Sequence, residues 1–390
     1  MCYYKFISLK EDIPMKKFIS LTLLSILAFT FTVFLSTDDE IKDVQAITPT
    51  IKVYAENGQI KLLNKNVKKI NEQMEIDLQE PNIKGFSNQD FEKKINEDIN
   101  NYINNLKDEF ENTLDRDTLF AKEKKYSLPK YEMKSNYVVT YSDENLLSFT
   151  ITTNSFTGGD YSTINKKSYN IDLKGEKIVN LQDLFSEGED FQQVINNKIS
   201  EDIAKVKTSY YTNKFSGIDY DQQFYMEKDH IVIHFPMNEI AVYTLGAPEF
   251  KISFNNFQKG IDLKSISNNS LPRITTGRIL RHNKEVNTTI KLPKIHLENS
   301  RLTSKVNEYI ENHIYSFVKS IESESKNKKN MSNGNSIFIP YNVNVSYKVF
   351  NNSKDKILIG ISKTHFDGNT SKTTDSIITI DIRSGEVTSK

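Results

Sequence analysis

The sequence predicts an α+β protein built from two related modules. Each module is a long amphipathic helix packed on an antiparallel β-meander, and the first is extended by a further helix and strands. Two observations lead to this fold class. Residues about 210 positions apart repeat the same order of apolar side chains, and both copies change from helical to alternate spacing at the same point. At 390 residues the chain is long enough for several hydrophobic cores.

Each module is predicted to contain one long helix. Apolar residues recur every three or four positions in two segments, which places them on one helical face. The first set is Phe91, Ile95, Ile99, Ile103, Leu106 and Phe110, and the second is Leu302, Val306, Ile310, Ile314, Phe317 and Ile321. An Asn-Glu dipeptide recurs in the two helices, at 96–97 and 307–308. A short alternating segment before each helix, at 74–78 and 288–292, predicts a first strand.

Three strands are predicted after each helix. Apolar or aromatic residues alternate with polar ones from 131 to 151 and from 341 to 361, which is typical of strands with one buried face. Each copy then reaches an Ile-Asp-Leu or Ile-Asp-Ile segment followed by a turn. We expect Gly175 and Gly385 to supply the positive φ of these turns, because glycine adopts that conformation most readily.

The chain is predicted to have five parts. These are an N-terminal signal or membrane anchor at 1–45, a first module at 46–180, a helix-strand extension that completes the first domain at 181–265, a linker at 266–284 and a second module at 285–390. The extension is predicted from a helical stripe between Phe191 and Val206 and from the strand-like segments "HIVIHF" and "EFKISF". A polar stretch at 322–335 predicts a loop after the second long helix.

The N-terminal segment has the charge order of an export signal. Lys16 and Lys17 precede an uncharged run that ends at Thr37, and acidic residues follow at 38–40. The run is longer than the apolar part of a usual cleaved signal, and a small-residue site ending at Ala46 lies well beyond it. We therefore expect an extracytoplasmic protein with a single-pass anchor in the type II orientation, or else a secreted form.

Composition excludes several kinds of site. Basic and acidic residues both number 51, and no basic stripe with interleaved aromatics stands out, so nucleic acid is not an expected partner. The only cysteine, Cys2, precedes the predicted modules, which therefore have no disulfide, thiolate metal site or cysteine nucleophile. His230 and His234 are four residues apart, a spacing that could bind one zinc ion if both lay on a helix. The β-branched residues between them predict a strand instead, which would hold them too far apart. No metal or cofactor is expected, and membrane contact is expected only through the N-terminal segment.

Two stretches resemble a bacterial extracytoplasmic domain family. They are "FTGGDYSTINKKSYNIDLKGEKIVNLQDLF" at 156–185 and "QQFYMEKDHIVIHFPMNEIAVYTLGAPEFKISF" at 222–254. The family is found in the sensor region of lysozyme-responsive anti-sigma factors of the RsiV type and in the non-catalytic region of PdaC-type peptidoglycan deacetylases. The resemblance implies a non-catalytic binding or sensor protein of the envelope that recognises peptidoglycan or a lysozyme-like protein. At 158–162, "GGDYS" stands where the family has a Gly-Gly-Ala-His-Gly run, so the family's His has no counterpart at this place.

Candidate ligand-binding residues lie in the same two stretches. They are Phe156, Gly158, Gly159, Asp160, Tyr161, Glu239 and Tyr243. The glycines are typical of a wide hairpin loop, because a phosphate cradle would open a helix and a strand follows here. Glu239 is expected to cap a short helix or to contact a ligand. Two other functions remain open: a cell-wall glycan hydrolase or deacetylase that uses Asp160, Glu239 or the histidines as acid and base, and a structural wall or spore-coat component.

Overall fold

The structure is a computed structural model. It describes residues 51–55, 58–186, 188–211, 214–261, 263, 266, 271–331 and 338–390. The predicted anchor and the cleavage site at Ala46 lie outside these residues. Within them, no helix combines the length and apolar character that crossing a membrane requires. All of the described residues lie in one compact unit.

The first module is a seven-stranded sheet with one helix, α1 (Gln89–Lys124), against it. Its strands, in spatial order, are β1 (Ile51–Ala55), β2 (Gly58–Ile70), β3 (Met74–Lys84), β4 (Tyr131–Ser142), β5 (Leu146–Phe156), β6 (Thr163–Asp172) and β7 (Lys177–Ile178). β3 and β4 are parallel and are connected by α1, whereas the other neighbours are antiparallel. The helix begins where the Asn88 side chain accepts a hydrogen bond from the backbone of Phe91. It ends at Lys125 in the left-handed conformation.

The extension consists of a helix and a small sheet. Its elements are α2 (Phe191–Lys205), β8 (Phe224–Met226), β9 (His230–His234) and β10 (Glu249–Ser253). The strands form an antiparallel sheet in the order β10, β9, β8. β8 lies on the face of the first sheet opposite α1, where the Asn170 amide donates to the Phe224 carbonyl over 2.8 Å and the backbone of Met226 donates to Ser148 over 2.9 Å.

The second module repeats the first with six strands. They are β11 (Arg273–His282), β12 (Val286–His296), β13 (Tyr341–Asn352), β14 (Lys356–Phe366), β15 (Ser371–Asp381) and β16 (Val387–Ser389), in that spatial order. The helix α3 (Ser300–Met331) connects the parallel pair β12 and β13. Its apolar stripe, from Val306 to Ile321, is buried on the sheet. The predicted α+β fold class, with two related modules, is therefore confirmed.

Two details show how closely the modules correspond. The side chain of Asn96 accepts from the Ile83 amide and donates to its carbonyl, both over 2.8 Å. Asn307 makes the same two bonds to Ile295, also over 2.8 Å. In addition, β4 and β13 are bulged at equivalent places, between 139 and 141 and between 349 and 351. The repeated asparagine thus joins each long helix to the strand before it.

The predicted turn geometry is correct in one copy only. Gly385 has φ of +63°, but the positive φ in the first copy belongs to Glu176, at +47°. The two turns have the same length, since Ile171 pairs with Ile178 and Ile380 with Val387. The fourth residue after Asp172 or Asp381 takes the positive φ in both copies, but the glycine of the first copy lies one position earlier. Gly175 is required for a different reason, because a Cβ there would collide with the Asp172 carboxylate.

Two further expectations differ from the structure. Residues 266–284 are predicted as a linker, but β11 occupies 273–282 and pairs with β12. The loop predicted at 322–335 is helical up to Met331, where Ser325 is buried and donates to the Glu285 carbonyl over 2.7 Å. The extension also contacts both modules. It meets the first sheet through β8, and its apolar core is continuous with that of the second module.

Candidate functional site

The Gly-rich segment is the loop of the β5–β6 hairpin, as the sequence predicts. Gly158 has φ of +91°, and a Cβ at this position would lie 2.7 Å from Cγ of Pro129. The loop therefore needs a glycine here for backbone reasons. A Cβ on Gly159 would meet nothing within 4 Å, so this residue borders open space.

Tyr161, which is exposed, and Tyr243, which is half-buried, form an aromatic pair at this loop. Their ring centroids are 5.8 Å apart with an interplanar angle of 53°, and 57% of Tyr161 is exposed. The Tyr243 hydroxyl lies 3.0 Å from Oγ1 of Thr163, which fixes the ring against the start of β6. The pair thus presents the Tyr161 ring and part of the Tyr243 ring to solvent, with the exposed side chain of Asp160 next to Tyr161 in the chain.

The pair exists because the extension packs beside the hairpin. Tyr243 begins a short 3-10 helix, Tyr243–Leu245, in the connection from β9 to β10. In the same connection, the sulfur of Met237 accepts from the backbone of Ile164 over 3.3 Å. Phe156, at the end of β5, is half-buried. Thr163 and Met237 are site residues that sequence reasoning missed. In the sequence, Thr163 is indicated only by its position next to the predicted loop, and nothing indicates Met237.

Glu239 does not cap a helix and does not join the aromatic pair. The N-cap position of the neighbouring 3-10 helix is Val242, which makes no side-chain capping bond. Oε1 of Glu239 instead accepts from Nη1 of Arg278, on β11, over 3.1 Å. Arg278 also pairs with Asp219, which is buried and bonds to Nζ of Lys291 over 2.8 Å. Glu239 therefore belongs to an ionic cluster that joins the extension to the second module.

The two histidines lie on a strand, as predicted. His230 is partly exposed, and its Nδ1 lies 2.7 Å from the Asp229 carboxylate. His234 is only 2% exposed, and its Nε2 lies 2.8 Å from Oγ of Ser168 on β6. Burial, helped by the charge of Lys166, lowers the pKa of His234 to about 3. His234 is therefore a neutral residue in the packing between the extension and the first sheet.

No metal centre is present among the side chains that the structure describes. Within this part of the chain, no group of three or more His, Cys, Asp or Glu residues could hold a metal ion.

Two family models match the chain. The model described as deacetylase PdaC matches 67–160 and 279–370, which is one segment in each module. The model described as a protein of unknown function, DUF3298, matches 182–255, which is the extension. The resemblance to this extracytoplasmic domain family is confirmed. The aromatic pair lies where the two domain types meet, because Tyr161 directly follows the first PdaC segment and Tyr243 lies in the DUF3298 segment.

Two solved structures of DUF3298 proteins are similar to this chain. The protein from Bacteroides fragilis is 16% identical, with a TM-score of 0.44, over 54% of this chain and 97% of its own. The protein from Pseudomonas aeruginosa PAO1 is 16% identical, with a TM-score of 0.34, over 52% of this chain and 94% of its own. No curated protein matches the sequence.

Proposed function

We propose that this protein is a non-catalytic binding protein of the bacterial envelope, and that the aromatic pair Tyr161 and Tyr243 recognises the glycan of peptidoglycan. The observation that carries the proposal is an exposed tyrosine ring, Tyr161, packed beside the partly exposed ring of Tyr243 at an open glycine loop. A sugar ring has C–H groups on its faces and hydroxyls around its edge. Aromatic surfaces bind the faces, and the tyrosine hydroxyls and Asp160 can hydrogen-bond the edge.

The location of the pair supports a binding role. A loop held by a rigid sheet is the usual place for recognition residues. Here the hairpin is held on one side by Pro129, against Gly158, and on the other by the extension, through Met237. The pair is therefore positioned before a ligand arrives, which lowers the entropic cost of binding.

The N-terminal segment fits this role if it anchors the folded unit outside the cytoplasm. Its basic, apolar and acidic order favours the type II orientation. Cell fractionation followed by protease treatment of intact protoplasts tests this part. We expect the protein in the membrane fraction and degraded by external protease. Recovery of protected protein in the cytoplasm would contradict it.

A sedimentation assay with purified peptidoglycan sacculi tests the binding function. Tyr161→Ala combined with Tyr243→Ala should reduce the bound fraction at least tenfold. Tyr309→Ala is the matched control, because Tyr309 is also exposed but lies on α3. Equal binding by the double variant and the control would overturn the assignment of the site.

The same preparation tests the other candidate functions. Release of sugar or acetate that is lost in Asp160→Asn or Glu239→Gln would replace binding with catalysis. Capture by immobilised lysozyme that depends on the aromatic pair, with none by sacculi, would make a lysozyme-like protein the ligand. Absence of binding to both would favour a structural wall or spore-coat component.

A further inference from the structure

A groove runs along the face of the second sheet that is opposite α3. Its cavity volume is about 520 Å³, in the range of pockets that hold small ligands. β13, β14 and β15 form the floor, and residues 216–220 of the extension form one wall. This groove is separate from the aromatic pair, which lies between the β5–β6 loop of the first module and the extension.

The floor of the groove is flat and apolar. The ring of Phe350 lies against the backbone of Gly360, where a Cβ would come 2.5 Å from Cε2 of Phe350. Phe350 is 54% exposed and Ile377, on the adjoining strand, is 45% exposed. The Lys348 ammonium lies 5.8 Å from the Phe350 ring centroid. The Phe350 ring therefore rests on the Gly360 backbone and stays largely exposed, with the Lys348 ammonium near it, and a large exposed ring of this kind is typical of a binding surface.

Polar groups surround this floor. The lining includes the hydroxyls of Ser346 and Ser362, the amide of Asn344 and the carboxylate of Asp375. These groups supply both hydrogen-bond donors and acceptors. Lys291, at the wall, is already paired with Asp219. The groove therefore combines a flat apolar surface with mostly uncharged hydrogen-bonding groups.

The first module shows what a closed version of this face looks like. The residue equivalent to Gly360 is Thr150, which is 5% exposed. β8 covers that face, and Ser148, next to it on the same face, accepts from the backbone of Met226. The second copy differs because position 360 is a glycine and the ring of Phe350 lies across it. Two equivalent faces thus have different environments, one buried under the extension and one lining a groove.

We propose that this groove is a second carbohydrate-binding site, in which Phe350 and Gly360 form the platform for a sugar ring. An apolar floor with neutral hydrogen-bonding groups around it matches the faces and edge of a pyranose. The mixed and largely paired charges of the groove fit a polyanion poorly. This inference extends the proposed function, because it adds a site for a ligand of the same class.

Isothermal titration of the full chain, purified in detergent, with the tetramer of N-acetylglucosamine tests this site. We expect two binding events. Phe350→Ala should weaken one event at least tenfold, and Gly360→Thr, which introduces the residue of the first module, should do the same by displacing the ring. Thermal melting of both variants should stay close to that of the wild type, since the altered side chains line solvent.

The variants separate this inference from the proposed function. If the double variant Tyr161→Ala, Tyr243→Ala loses only the binding event that Phe350→Ala leaves unchanged, both proposals stand. If Phe350→Ala and Gly360→Thr bind with unchanged affinity and stoichiometry, the groove proposal is wrong, whatever the tyrosine variants do. If only the groove variants lose binding, the groove stands and the assignment to the aromatic pair is wrong. A wild-type dimer that Phe350→Ala converts to a monomer, with no groove-dependent sugar binding, would also overturn it.

Discussion

Asn96 and Asn307 illustrate how single polar residues fix a layer contact in both modules. Each amide satisfies one backbone N–H and one C=O on the preceding strand. Removing the side chain leaves these groups without a partner in or near the core, which costs about 1–3 kcal/mol. The glutamates that follow, Glu97 and Glu308, are exposed. The repeated dipeptide therefore combines one structural residue with one surface residue.

We expect Asn96→Ala and Asn307→Ala each to lower the free energy of unfolding by about 1–3 kcal/mol. Urea denaturation measures this. Glu97→Ala and Glu308→Ala are the controls and should change it by less than about 0.5 kcal/mol. Similar losses from the asparagine and glutamate variants would refute the assigned role.

His234 should make stability depend on pH. Its pKa is lowered from 6.5 to about 3 in the folded protein, so the unfolded chain binds a proton more readily. The free energy of unfolding is therefore unaffected by His234 above pH 6.5, and it decreases as the pH falls from 6.5 towards 3. At 1.36 kcal/mol per pKa unit, the loss at pH 4.5 is about 2–3 kcal/mol.

Urea denaturation at pH 7 and pH 4.5 tests this prediction. His234→Gln should show a smaller loss between the two pH values than the wild type. His230→Gln, on the same strand but partly exposed, should retain the wild-type loss. An unchanged pH dependence in His234→Gln would show that other groups cause it.

At the scale of elements, the turn after β15 favours glycine for two reasons, its positive φ and its contact with α3. Gly385 has φ of +63°, and a Cβ there would lie 2.9 Å from Cδ2 of Leu302, at the start of α3. Gly385→Ala should therefore cost about 1–2 kcal/mol. Gly159→Ala is the control, because its Cβ would be in open space. Thermal denaturation should give a lower Tm for the first variant only, and equal Tm values would contradict the argument.

The elements that the sequence predicts correctly have strong apolar periodicity. Each long helix has an unbroken stripe, and β4, β5, β13 and β14 alternate clearly. The sequence misses β11 because Ile274 is its only fully buried apolar residue, so no alternation marks the strand. β2 is missed for a similar reason, since Ile60 and Leu62 are the only buried residues between positions 60 and 70.

The candidate site could be predicted only in part. The loop containing Tyr161 follows from its glycines and the flanking strands. The contact with Tyr243 depends on how the extension packs on the first sheet, which no periodic pattern indicates. The ion pair of Glu239 with Arg278 is not predicted either, because Arg278 lies in a segment that the sequence assigns to a linker.

At the scale of the whole molecule, the extension is the connection between the two modules. It covers the first sheet through β8, and Asp219 binds Arg278 and Lys291 of the second module. An apolar connection accompanies this polar one, since the core of the extension continues into the second module. The protein should therefore unfold with the extension and second module coupled.

Asp219→Ala tests this coupling. Its carboxylate is buried, but Arg278 and Lys291 are partly exposed, so we expect a loss of about 1–3 kcal/mol rather than the larger cost of a fully buried pair. Asp355→Ala removes an exposed pair with Arg383 and should cost less than about 0.5 kcal/mol. Chemical denaturation measures both, and equal effects would show that the cluster does not hold the modules together.

The matching bulges in β4 and β13 bear on the history of the chain. A bulge adds one residue and bends a strand, and it is kept when the bend serves the fold. The same irregularity at the same place in both copies is simplest to explain if it was present before the gene segment was copied. The copied unit would then have been a bent sheet with its helix, and its two descendants have different surroundings because the extension lies between them in the chain and covers the outer face of the first sheet.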